Sequence, residues 1–207
     1  MKNEIKEKFI YSIECKTKVI NDDKIIEKVE ETCNAIINCY KQGHRVYIMG
    51  NGGSAADAQH FAAELVGRYM MERKGLPAVA FTTDTSILTA VGNDYGYDDV
   101  FRRQTEALVE KGDVVFGIST SGNSKNVYEA LKLAQEKGAT TVGFLGKTGG
   151  TCKEVCNIPI VIEYPRTPNI VRSSLVRLLL DFCSPFLSSS SCKQTGRTLY
   201  VLLLSSS

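Results

Sequence analysis

Downstream of Gly43, short runs of β-branched and aromatic residues alternate with longer stretches of helical periodicity, and that alternation restricts the chain to few architectures. The runs are 45–49, 78–82, 114–118, 141–145 and 158–162, and helical patterns over 97–111 and 126–137 separate several of them. Four of the runs are apolar along most of their length, as strands covered on both faces are. The expected fold class is α/β, a doubly wound parallel five-stranded sheet flanked by helices. Ahead of the first run, Ile25, Ile26, Val29, Cys33, Ile36, Ile37 and Tyr40 recur at helical spacing. They predict a helix started by Asn21 or Asp22 and stopped at Gly43, with a weaker helical pattern before it.

A sheet of this kind needs a sizeable core, and 207 residues with 43% hydrophobic content supply one. One domain over 1–187 is expected, followed by an atypical serine-rich tail over 188–207. The net charge of +2 comes from 25 basic and 23 acidic residues that are scattered along the chain, so nucleic acid is not an expected partner. The seven cysteines lack paired metal-ligand spacing, and Cys152 and Cys156 have no second Cys or His pair to join them. Reduced thiols and a cytoplasmic location follow as expectations. The opening MKNEIKEKFIYSIECK does not read as a secretory leader, and no apolar run approaches a membrane span, so no membrane partner is expected.

In a parallel sheet, ligands gather at the carboxyl ends of strands, which directs attention to two loops. The first strand runs into Gly50-Asn51-Gly52-Gly53-Ser54-Ala55-Ala56-Asp57-Ala58. Its glycines allow close backbone approach to a ligand, and Ser54 is a candidate cap for the next helix. An ordinary glycine-rich connection would look the same in isolation. The third strand ends in Ser119-Thr120-Ser121-Gly122-Asn123-Ser124, directly before a helix. Hydroxyl donors and uncapped helix amides together suit a dianionic phosphate, although a turn-rich capped loop is the plainer alternative. Neither loop has the Lys-Ser/Thr ending of a nucleotide phosphate loop or the spaced glycines of a dinucleotide fold.

Three stretches carry a family resemblance: GNGGSAADAQHFAAELVGRY (50–69), TTDTSILTAVGNDYGYDDVFRRQ (82–104) and GISTSGNSKNV (117–127). Together they make the chain, over 1–168, resemble the phosphoheptose isomerases of the sugar isomerase (SIS) domain family. The resemblance implies a homotetrameric enzyme that converts sedoheptulose 7-phosphate to D-glycero-D-manno-heptose 7-phosphate, the first step toward activated heptose for bacterial lipopolysaccharide or capsule. It also implies that Asn51, Gly52, Gly53 and Ser54 line the sugar, that Asn93 and Asp94 contact it, and that Ser119, Thr120, Ser121 and Ser124 hold the phosphate. His60 and Glu64 match a zinc ligand and the metal-binding catalytic carboxylate of the family.

An aldose–ketose isomerisation needs a base that moves a proton between neighbouring carbons, and Glu64 is the candidate. It follows His60 by one helical turn, so both belong to one helix face. A solvent-facing histidine and a solvated carboxylate are the plainer readings of this pair, and the apolar neighbours Phe61, Ala62, Ala63 and Leu65 argue against the second. The resemblance stops after Pro168. Where the family carries a late helix with a glutamine and histidines, this chain places Val171, Ser174 and Leu179, and its only other histidine is His44. Such an abrupt break is what a shifted reading frame would leave. Two further readings stay open from sequence: a non-catalytic phosphosugar-binding SIS regulator, similar to the replication-initiator-associated protein of bacteria, and an isomerase of a shorter phosphosugar.

Overall fold

A computed structural model of the protein describes residues 1–69, 72–163 and 179–181. Two long helices, α1 (Lys2–Ile20) and α2 (Asp23–Lys41), precede the first strand. Of the two proposed caps, Asp22 starts α2, its carboxylate accepting from the amides of Lys24 at 3.1 Å and Ile25 at 3.4 Å. The chain continues through β1 (Val46–Gly50), α3 (Gly53–Val66), β2 (Ala78–Ala80), α4 (Thr85–Asp94), α5 (Arg102–Leu108), β3 (Val114–Ser119), α6 (Lys125–Glu136), β4 (Thr140–Gly146) and β5 (Ile158–Ile162). Short 3-10 turns at Tyr97–Asp99 and Thr151–Val155 complete it.

All neighbouring strands pair in parallel, in the order β2-β1-β3-β4-β5, with Val46 opposite both Ala78 and Val114, Val114 opposite Thr140, and Val142 opposite Ile158. This is the expected doubly wound α/β sheet of five strands. Each residue of β1 and β3 is buried, which explains their unbroken apolar sequence. Alternate residues feed opposite layers. Val46 and Ile48 join Phe116, Ile118 and Phe144 against Cys33 and Ile36 of α2 and Phe61 and Leu65 of α3. Tyr47, Met49 and Val115 face Val127 and Leu131 of α6, with Phe101 and Val109. Pro159 is tolerated because β5 is an edge strand.

Two elements differ from the sequence expectation. The pattern over 97–111 is a 3-10 turn and then the short α5, because Val109 is extended at ψ 135° and the amide of Glu110 is taken by Asp113 Oδ2 at 2.8 Å. Helix α4, which the pattern did not predict, buries none of its residues. The readings placed on Val171 and Ser174, and on the tail over 188–207, lie outside the described residues. Leu179, by contrast, is buried against the α2–α3 layer.

Candidate functional site

Strand order reverses between β1 and β3, since β2 lies to one side of β1 and β4 lies beyond β3. At such a switch point the loops leaving the two strands splay to opposite faces and open a crevice at their carboxyl ends. The two loops singled out by sequence are the ones that leave β1 and β3.

The β1 loop turns within very few residues. A Cβ on Gly50 would sit 2.7 Å from Ser54 Cβ and 3.0 Å from Ile118 O, so only glycine permits this approach to β3. Gly52, at φ 55°, is the N-cap of α3, so Ser54 is not the cap expected from sequence; it lies inside the first turn and is buried. The chain enters the helix before Ser54 because glycine at 52 accepts the left-handed backbone. Asn51 is half-buried, and Gly52 and Gly53 are exposed.

The β3 loop folds around its hydroxyls. Ser119 Oγ lies 2.9 Å from Ser124 Oγ and accepts from the amide of Gly122 at 3.1 Å. Ser121 Oγ accepts from the amide of Asn123 at 3.1 Å. Ser124 is the N-cap of α6 but makes no side-chain cap bond, its hydroxyl being turned toward Ser119. The first turn of α6 therefore presents amides without a serine cap, together with the hydroxyls of Thr120 and Ser121, which are half-buried. Partial positive charge at a helix start and neighbouring hydroxyls make this loop a candidate anion cradle.

One contact joins the β1 loop to the start of α6, and two more tie them to the segment that follows Asn93 and Asp94. Asn51 and Asn126 exchange amide hydrogen bonds, both at 2.9 Å. The phenol of Tyr97 donates to Asn51 Oδ1 at 3.1 Å. Lys125 Nζ pairs with Asp98 Oδ2 at 2.8 Å, and that carboxylate pushes the lysine pKa up. Asn93 and Asp94 end α4 just before this turn; both are exposed, and Asn93 Nδ2 donates to Asp94 Oδ1 at 2.9 Å. Asn126 and Tyr97 were not singled out from sequence. Their only signal is an asparagine in the first turn of α6 and a tyrosine in a polar loop, and the contact partners are far apart in the chain.

His60 and Glu64 do share one face of α3, with Nδ1 and Oε1 3.8 Å apart. The histidine side chain is 65% exposed and the carboxylate 28%. Arg73 packs over the end of this helix, donating to the carbonyls of Glu64 at 3.0 Å and Leu65 at 2.9 Å. At 1.5 Å per residue, the backbone of Glu64 stands ~16 Å along the helix axis from that of Gly53. Among the described residues no three His, Cys, Asp or Glu side chains converge as a metal site. His60 and Glu64 offer two donors where firmly held zinc takes three or four, so the described residues do not by themselves fit that ion. His44 lies at the amino end of β1, 3.7 Å from Asp113, and does not join them.

Comparison with known proteins bears on the same residues. The model of the SIS domain family matches residues 11–146. The phosphoheptose isomerase of Geobacter metallireducens is 56% identical over 147 residues, covering 71% of this chain and 78% of that one. That of Clostridium acetobutylicum is 47% identical over 176 residues, covering 85% and 90%. Among solved structures, the phosphoheptose isomerase of Neisseria gonorrhoeae superposes with a TM-score of 0.82 at 39% identity, over 89% of this chain and 98% of that one.

Proposed function

Because the chain belongs to the SIS domain family and, within it, to the phosphoheptose isomerases, we propose that it interconverts sedoheptulose 7-phosphate and D-glycero-D-manno-heptose 7-phosphate. The observation that carries this reading is the meeting of the β1 and β3 loops at the switch point, tied by the Asn51–Asn126 pair. In it the phosphate docks on Ser119, Thr120, Ser121, Ser124 and the start of α6. The sugar lies along Asn51, Gly52, Gly53 and Ser54, with Asn93 and Asp94 at its side. A non-catalytic regulator is not favoured, because relatives about half identical to the chain over most of its length are isomerases.

Glu64 is the base of this proposal. Its carboxylate removes the proton from C1 of the ketose, the C–H electrons form the C1–C2 double bond, and the carbonyl electrons move onto O2. One proton then passes from O1 to O2, and Glu64 returns its proton to C2, leaving the aldehyde at C1. The enediolate charge on O2 needs donors close by.

The assembly completes the site. Eight bonds separate C1 of the sugar from phosphorus, a reach of about 10 Å at the ~1.2 Å per bond of an extended chain. Along α3, the backbone of Glu64 stands ~16 Å from that of Gly53, at the end of the helix away from the β1 loop. We place the base of one copy against the cradle of another, in the homotetramer that the resemblance implies. The exposed apolar side chains of Phe9, Ile10 and Ile13 on α1 support such an assembly. A cytoplasmic place at the start of heptose activation completes the reading.

A coupled assay with sedoheptulose 7-phosphate tests it. Glu64→Gln keeps the size of the side chain and removes the base, so turnover is expected to fall at least 100-fold, in keeping with what a positioned base contributes. Turnover unchanged in Glu64→Gln would remove the assignment.

A further inference from the structure

The amide of Asn51 is almost fully committed. Its Oδ1 accepts from Asn126 Nδ2 at 2.9 Å and from Tyr97 Oη at 3.1 Å, while its Nδ2 donates to Asn126 Oδ1 at 2.9 Å. A carboxamide has two acceptor positions and two donor hydrogens, so one N–H is all that Asn51 has left to offer. The orientation of Asn126 is set in turn by the backbone. The amide of Val127 donates to Asn126 Oδ1 at 2.9 Å, and an N–H can face only an acceptor. Asn126 is 3% exposed, so its amide has little room to turn over.

We propose that Asn126 is a positioning residue: anchored by the Val127 amide, it fixes the amide of Asn51, with help from Tyr97, so that Asn51 meets the ligand as a donor only. The group recognised there is then an oxygen with a free lone pair, a sugar hydroxyl or carbonyl, and an ammonium group at that place is refused. This inference rests on the reading of Asn51 as a sugar contact. It goes beyond it by naming the residue that sets the polarity of the contact.

Calorimetric titration with two probes, sedoheptulose 7-phosphate and inorganic phosphate, tests the proposal. Asn126→Leu is close in size and uncharged, and it leaves the Asn51 amide free to turn. It is expected to weaken sugar phosphate binding about tenfold and inorganic phosphate binding less than twofold, since the β3 hydroxyls remain. Tyr97→Phe removes only one donor from a residue that is 62% exposed, so it keeps the fold and decides the matter if Asn126→Leu does not fold. It is expected to weaken the sugar phosphate two- to threefold with the same selectivity. Equal loss for both probes, or no loss of the sugar phosphate in either variant, would overturn the proposal. Wild-type protein that binds inorganic phosphate and ignores the sugar phosphate would instead sink the reading of Asn51 itself, and this inference with it.

Discussion

Gly122 holds φ at 71°, and a Cβ there would lie 2.2 Å from the carbonyl carbon of Gly149 and 2.6 Å from the nitrogen of Gly150. Its carbonyl accepts from the amide of Cys152 at 2.9 Å. The β3 loop is thus pressed backbone to backbone on the loop after β4, and its hydroxyls are held by that contact. Gly122→Ala meets both a left-handed backbone and a main-chain wall that cannot yield as a side chain would. The expected cost is about 1–3 kcal/mol of stability, read by chemical denaturation. Affinity for inorganic phosphate should fall at least tenfold, and wild-type affinity would show that the two loops act independently. The glycines and serines of both loops were legible in the sequence because their chemistry is local. Ser54 was misread as a cap because the sequence does not show that the chain turns helical at Gly53. Asn126 was not legible at all, since its role depends on Asn51, on another strand's loop.

At the scale of elements, burial and pairing were readable and helix ends were not. The runs chosen from sequence overlap all five strands, because parallel strands covered on both faces must be apolar throughout. Helix α4 escaped notice because Thr, Ser and Gly are poor helix formers and only Leu88 and Val91, both partly buried, pack from it against the core. The over-long helix at 97–111 failed for a reason visible only in three dimensions. Asp113, 2% exposed, accepts from the amide of Arg45 at 2.9 Å and from that of Glu110 at 2.8 Å. One buried carboxylate therefore stops the chain from continuing as helix and ties the entries of β1 and β3 together. Asp113→Ala leaves two amides without their acceptor at the base of the sheet. Losses of about 1–3 kcal/mol per unpaired group give an expected drop of about 2–4 kcal/mol in unfolding free energy, allowing for partial rescue by water. A denaturation midpoint equal to wild type would show that the tie is dispensable.

At the scale of the whole molecule, the described residues leave apolar side chains exposed along α1. On α1, Phe9 is 69% exposed, Ile13 61%, Ile10 53% and Ile20 69%, whereas only Cys15 and Val19 of that helix are buried. Exposed apolar side chains gathered on one helix are what an interface between copies would cover. In the proposed reading the base of one copy works at the cradle of another, so the exposed apolar side chains of α1 and the shared site ask for the same remedy, a second copy. Phe9→Asp separates the two roles of α1, because a residue so exposed contributes little to the fold of the isolated chain. The variant should keep the thermal midpoint of its own monomer and lose mass in multi-angle light scattering. Turnover of sedoheptulose 7-phosphate should fall in step with the dissociated fraction and recover at high protein concentration, where association is restored by mass action. Inorganic phosphate should still bind, since the β3 loop belongs to one copy. A dissociated variant with full turnover would show instead that one chain assembles base and cradle by itself, and the two-copy site would fall while the anion cradle stood.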